Sequence, residues 1–264
     1  MSMTRRALLA TATLSAADPD WRSLLALSIT HDELNFEKLR GYVFEVHDTN
    51  RASRHLLEAQ SFEINLVGPG MYFRKLSANG LPLSPEDTDL EQARLRLHLS
   101  QTKSSDREAP WRKEREVLEV YVATHKFSFK GERTVDGRPA IILESKPPEQ
   151  PLRPIEFLTH SRCRLTLDRE TGHWIEAVCE IRERTQFALN QILIGRLSLP
   201  YSPGLINRGD MDPGTTLTFR TQLLDDGVWA PKSYHIEKRG FFSELRFSNF
   251  RKFTSESQLL TDQR

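Results

Sequence analysis

Only two cysteines, Cys163 and Cys179, occur in the 264 residues, so neither a paired-cysteine metal site nor a framework of several disulfides is available. Charge of one sign is also lacking. Lys plus Arg number 37 against 36 Asp plus Glu, which leaves no net field to hold a polyanion by counterion release, and a nucleic-acid partner is not expected. No apolar run approaches the roughly 20 residues that a membrane-spanning helix needs. Catalytic signatures are missing as well: there is no G-x-S-x-G elbow and no HExxH, and Gly68-Pro69-Gly70 leads into a strand pattern instead of the helix N-terminus that cradles phosphate. His31, His47, His55, His98, His125, His160, His173 and His235 are scattered without ligand spacing. The expectation is therefore a protein that is not an enzyme, with no catalytic residue, no metal and no cofactor.

What is present is core-forming material. The 14 Phe, 5 Tyr and 4 Trp supply enough bulk for one domain of this length to bury most of its apolar surface. At the N-terminus, Arg5-Arg6 precede an apolar stretch from Ala7 to Leu14 and the small residues Ser15-Ala16-Ala17. That order predicts an export signal over residues 1–17, faintly of twin-arginine type; a frayed tail is the plainer alternative. Residues 18–264 are then a single domain in an exported, periplasmic protein.

Helical spacing of Trp21, Leu24, Leu25 and Ile29 behind Asp18-Pro19-Asp20 predicts a helix near residues 19–30. From Leu39 the period changes to two. Tyr42, Phe44 and Val46 alternate with Val43, Glu45 and His47, and after a polar turn expected near Asp48 to Asn50 a second run carries Phe62, Ile64 and Leu66 on one face: a long hairpin. A third strand, Met71 to Leu76, ends at the turn dipeptide Asn79-Gly80. Ser84-Pro85-Glu86-Asp87 opens a helix near 85–100 with Leu90, Ala93 and Leu97, and Val117, Leu118 and Tyr121 place another near 110–123. Beyond His125 the chain reads as an antiparallel meander of seven strands, separated by Asp136-Gly137, Glu170-Thr171-Gly172, Asp225-Asp226-Gly227 and Arg239-Gly240. An insertion from Asn190 to Pro213, rich in Pro and Gly, interrupts it as a candidate lid.

Strand parity constrains the cysteines. Leu165 and Leu167 share a face with Cys163, and Ile175, Ala177 and Ile181 share one with Cys179, so burying both faces together needs an even register sum, absent a bulge. One such register sets Cys163 directly opposite Cys179 and permits a cross-strand disulfide; the other offsets them by a diagonal step. Two small buried hydrophobes account for the pair equally well. Glu176 and Glu180 alternate with the apolar residues of their strand and read as a solvated face in preference to an acid/base pair. The basic residues Arg94, Arg96, Lys103, Arg107, Arg112, Lys113 and Arg115 are interleaved with carboxylates and read as a solvated helix surface.

Several short pieces carry a family likeness: Gly131-Glu132 followed by Asp136-Gly137-Arg138-Pro139-Ala140, the hairpin from Leu165 to Gly172, the run Asp226 to Lys232, and Phe247-Ser248-Asn249-Phe250. With the long hairpin and the central helices they make the chain resemble the lipoprotein-carrier superfamily, the periplasmic LolA-type and LolB-type factors and their sensor relatives. The step from Ala78 to Glu86 resembles a group of uncharacterised exported bacterial proteins. The resemblance implies a mainly β (α+β) fold, a curved antiparallel sheet forming an incomplete barrel with helices packed on its concave, open side. It also implies an apolar cavity that takes a lipid or the acyl chain of a lipoprotein, with a part in envelope lipoprotein sorting. Cavity candidates are Tyr42, Phe44, Phe62, Ile64, Leu66, Leu143, Leu165, Leu167, Ile175, Leu217, Phe219, Ile236, Leu245 and Phe247; the same residues would make a good solid core. Carriers of the superfamily use an arginine early in the sheet to hold the cavity closed. Arg40 is available for that role, but no motif around it matches. The alternative is a non-catalytic envelope protein with a filled barrel and no ligand, serving an interaction with another envelope protein.

Overall fold

The computed structural model describes residues 20–52, 55–65, 72–101, 119–149, 156–186 and 210–252. Helix α1 (Trp21–Leu39) is capped by the Asp20 carboxylate, which accepts the Ser23 N–H, and it runs nine residues past its expected end because Phe36 and Leu39 extend the buried stripe begun by Leu25. It leads into β1 (Tyr42–Ala52), β2 (His55–Asn65), β3 (Tyr72–Ala78) and the short β4 (Leu81–Pro82). Helix α2 (Pro85–Gln101) and a helical turn α3 at 119–124 follow. Then come β5 (Lys126–Val135), β6 (Arg138–Lys146), α4 (Glu156–Thr159), β7 (Ser161–Asp168), β8 (Trp174–Ile181), β9 (Thr185–Gln186), β10 (Asp210–Met211), β11 (Thr216–Leu223), β12 (Trp229–Lys238) and β13 (Phe241–Lys252).

Eleven strands form one antiparallel sheet in the order β4-β3-β2-β1-β13-β12-β11-β8-β7-β6-β5. Its terminal strands, β4 and β5, do not pair with each other, so the curved sheet is an incomplete barrel. The pairing is local apart from two joins. β1 pairs with β13, bringing the ends of the described chain together, and β8 pairs with β11, bridging the insertion whose stem is the β9–β10 ladder. Turn chemistry sets the hairpins: Asn79-Gly80 and Asp136-Gly137 each take positive φ at both residues, the backbone that a tight two-residue hairpin demands.

Bulges decide which side chains face inward. In β13 the register against β1 slips between Val43 and Glu45, with Asn249 at φ 53. The slip lets Phe247 and Phe250, three residues apart, both reach Phe44, at ring separations of 6.1 and 5.0 Å. In β7–β8 the register slips between Thr166 and Leu167, so that Leu167 opposes Trp174 and Thr166 opposes Glu176. Ile175 is the extra residue. It is thrown out of the interior into a separate small cluster with Ala140 and Trp229, which corrects the expectation that it shares a face with Ala177 and Cys179; Trp174 takes the inner place.

Two further expectations are corrected. β1 continues through Asp48 and Asn50 to Ala52, because Asp48 and Asn50 are buried strand residues bonded to each other and do not form a turn. On α2 the stripe Leu90, Ala93, Leu97 is exposed; the buried positions are Glu91, whose carboxylate accepts the Lys75 N–H, and Leu95. The expected helix near 110–123 is described only from residue 119, and residues 1–17, Leu66 and most of the 190–213 insertion lie outside the described residues.

Candidate functional site

The concave face carries one continuous cluster of apolar side chains. Tyr42, Phe44, Phe62, Ile64, Leu143, Leu165, Leu167, Leu217, Phe219, Ile236, Leu245 and Phe247 all belong to a single buried cluster, together with Leu25, Phe36 and Leu39 of α1, Tyr121 of α3 and Leu158 of α4. Register explains why they converge. Cross-strand partners run Ile64 to Phe44, Val46 to Phe247, Leu245 to Tyr234, Tyr234 to Phe219, Phe219 to Ala177, Ala177 to Leu165 and Leu165 to Leu143. Of the sequence candidates only Ile175 points elsewhere, and Leu66 falls outside the described residues. Cys163 stands directly opposite Cys179 on the same face, and the two are joined by a disulfide.

Helix α1 is fastened along one rim by polar contacts that are absent from any apolar pattern. β12 begins at Trp229, four residues before its pairing with β13 starts at Ser233. The Asn35 amide fills the gap: its Nδ2 donates to the Trp229 carbonyl and its Oδ1 accepts the Trp229 N–H, both at 2.7 Å. His31 donates Nδ1–H to the Thr171 carbonyl in the β7–β8 turn. At the adjoining Gly172, φ is +70 and an added Cβ would sit 2.8 Å from the Leu24 carbonyl oxygen, so helix and turn meet only because that residue has no side chain.

The turn is held from within by Asp168. Its Oδ1 accepts the N–H groups of Glu170 and Thr171 and the Thr171 hydroxyl, and its Oδ2 accepts Arg138 Nε at 2.6 Å. Burial raises the affinity of this carboxyl for a proton, but the Arg138 and Thr171 bonds outweigh burial and hold it below its ordinary value. His173, stacked on Trp229 at 4.9 Å, is driven down to about 3 by burial and stays neutral. Across the same rim, Asp226 accepts from Tyr42 Oη at 2.5 Å and from Lys252, and those two donors bring its carboxyl down to about 2. Arg40, the candidate closing arginine, instead pairs with Glu37 one helical turn away, at 3.1 Å.

The convex face is largely polar apart from the small Ala140, Ile175 and Trp229 cluster, and several of its carboxylates are not freely solvated. Four are sunk between pairs of basic side chains: Glu176 between Arg133 and Arg220 at 2.6 and 2.7 Å, Glu144 between Lys130 and Arg162, Glu63 between Arg74 and Arg251, and Glu244 between His235 and Arg246. The Glu176 side chain is only 13% exposed, whereas Glu180 at 44% keeps its solvated character. Two open clefts of about 310 and 260 Å³ lie on this face, lined chiefly by such charged residues. Among the described residues no three His, Cys, Asp or Glu groups gather to hold a metal. No described helix is long and apolar enough to cross a membrane.

The class defined by these features is an unclosed antiparallel half-barrel with an oily concave surface and helices laid into it. Solved structures similar to the chain include a DUF1329 family protein from Desulfovibrio piger, 14% identical over 91% of this chain and 99% of that one, with a TM-score of 0.37. A domain described as an outer membrane lipoprotein-sorting protein, from Vibrio parahaemolyticus, is 13% identical over 91% of this chain and 100% of its own, with a TM-score of 0.37. A LolA superfamily protein from Nitrosomonas europaea is 13% identical over 90% and 96%, with a TM-score of 0.36. No family model and no curated protein sequence matches the chain.

Proposed function

We propose that this protein is an exported, periplasmic binding protein that holds a lipid, or the acyl chain of a lipoprotein, against the concave face of its half-barrel, with a part in envelope lipoprotein sorting and no catalysis. The observation that carries the reading is the continuous apolar cluster on the inner face of a sheet that does not close. Such a surface binds hydrocarbon by displacing water, and an unclosed barrel can admit a chain without breaking strand pairs. The Cys163–Cys179 disulfide suits an oxidising compartment outside the cytoplasm, as does the signal-like order of residues 1–17.

A second reading, a filled barrel that serves an interaction with another envelope protein, is favoured by one observation: Phe44, Ile64, Leu143, Leu165 and Leu167 have no exposed surface at all. Native mass spectrometry of the full chain purified from a lipid-containing host separates the two. Carriage predicts adducts in the mass range of one or two acyl lipids that dissociate on activation. Recovery of the bare polypeptide mass under all gentle conditions rejects carriage and leaves the interaction reading.

A further inference from the structure

The concave face contains a polar group that the packing does not use. Tyr234 lies at the middle of β12, 6% exposed, with Phe219 and Leu245 as cross-strand partners and Ile236 two residues along on the same face. Its hydroxyl has no hydrogen-bond partner among the described residues. The contrast with Tyr121 is instructive: that side chain is equally buried against the same core, and its hydroxyl donates to Ser145 Oγ at 2.9 Å. A buried hydroxyl left without a partner is costly, and folded proteins seldom keep one without a use for it. Phenylalanine would fill the same volume at no such cost. Trp174, also on the inner face and 2% exposed, likewise leaves its indole N–H without an acceptor.

We infer that the Tyr234 hydroxyl is the polar handle of the concave site, donating a hydrogen bond to the carbonyl oxygen of a neutral acyl ester whose hydrocarbon lies along the apolar face. The inference rests on the lipid-binding reading above and narrows its ligand class. Three chemistries are separated by the surroundings. A pure hydrocarbon leaves the hydroxyl unsatisfied. An ionised carboxylate would place a charge among Phe219, Leu245 and Ile236, which is far more expensive than burying a carbonyl. An ester carbonyl accepts the one bond on offer and brings no charge. The phenol remains a donor throughout, because burial pushes its ionisation well above the ordinary tyrosine range.

The test compares the delipidated full chain with Tyr234→Phe, which removes one oxygen and keeps the ring, by calorimetric titration with methyl laurate, dodecane and laurate. The expected result is that wild type binds methyl laurate more tightly than laurate, and that Tyr234→Phe weakens methyl laurate roughly three- to tenfold, the worth of one net hydrogen bond, while leaving dodecane unchanged. Equal effects on ester and alkane, or no effect on either, would overturn the handle and leave lipid binding standing. Wild type that binds none of the three ligands rejects the lipid reading, and the handle with it. Ligand-free stability provides a readout that does not depend on the ligand. Removing an unsatisfied hydroxyl should leave the thermal midpoint of Tyr234→Phe equal to or above that of wild type; a fall of several degrees would show the hydroxyl bonded within the protein and contradict its role as a handle.

Discussion

The two faces of this sheet are made by alternate residues of the same strands, yet they are built on opposite principles. Phe219 and Arg220 are chain neighbours on β11. The first is buried among Tyr234, Ala177 and the rest of the concave cluster, and the second lies outside, holding one oxygen of Glu176 while Arg133 holds the other. Cohesion on the inner face comes chiefly from contact area; cohesion on the outer face comes from carboxylates bracketed by basic side chains, in partial contact with water. The lesson is that stability is carried chiefly by the inner face, while the outer lattice can be altered at small cost.

The largest expected effect breaks the inner face with a charge. Phe219→Asp should cost more than about 4 kcal/mol and abolish the cooperative urea transition, because an unpaired carboxylate enters an apolar cluster; a soluble variant with a normal transition would mean that the face is misassigned. Next comes the inner-face disulfide. Replacing both Cys163 and Cys179 by Ala frees a loop with a sequence separation of 16 and should lower stability by about 3 kcal/mol, read from denaturation midpoints under oxidising conditions.

The rim sharpens the comparison through pH. His173 is neutral in the fold, with a value near 3, whereas the unfolded chain takes its proton near 6.5. The unfolded state therefore binds more protons between those values. Stability is complete above pH 6.5 and declines as pH falls towards 3, by about 1.4 kcal/mol per unit for one full proton. His125 and His235, also lowered, chiefly by burial, act in the same direction. His173→Phe should flatten the slope measured by urea midpoints between pH 7 and 4.5; an unchanged slope would remove His173 from the account. The smallest effect belongs to the outer lattice, where Arg220→Ala should cost less than about 1 kcal/mol, because its side chain is half exposed and Glu176 keeps Arg133. A loss as large as that from an inner-face truncation would erase the distinction between the faces.

Alternation and turn dipeptides made most of the fold legible. The seven strands after His125 lie where the pattern puts them, to within two residues, and parity alone left the register in which Cys163 meets Cys179 as one of two choices. Bulges were not legible. A single extra residue at Ile175 reverses its face, and no local feature of Trp174-Ile175-Glu176 announces that the strand slips there. Polar residues used in tertiary bonds were equally hidden. Asn35 lies beyond the expected end of the first helix and gains its role only when the unpaired start of β12 is placed beside it, and His173 is one scattered histidine among eight until Trp229 stacks on it. Nothing in the strand pattern singles out Tyr234; its significance comes from a hydroxyl without a partner among the described residues, a property of the packed core and not of the pattern. On the outer face, Glu176 looked solvated because it alternates with the apolar residues of its strand, while Arg133 and Arg220 close over it from β5 and β11.

Two tryptophans make the central claim directly measurable, because Trp174 belongs to the concave cluster and Trp229 to the small cluster with Ile175. Versions of the chain that keep one of them, with every other tryptophan changed to Phe, can be titrated with a methyl ester carrying a brominated acyl chain, whose bromines quench indole fluorescence on contact. Acyl binding on the inner face predicts saturable quenching of Trp174 and little change at Trp229. Equal quenching of both, or none at Trp174 in a folded protein, would contradict it.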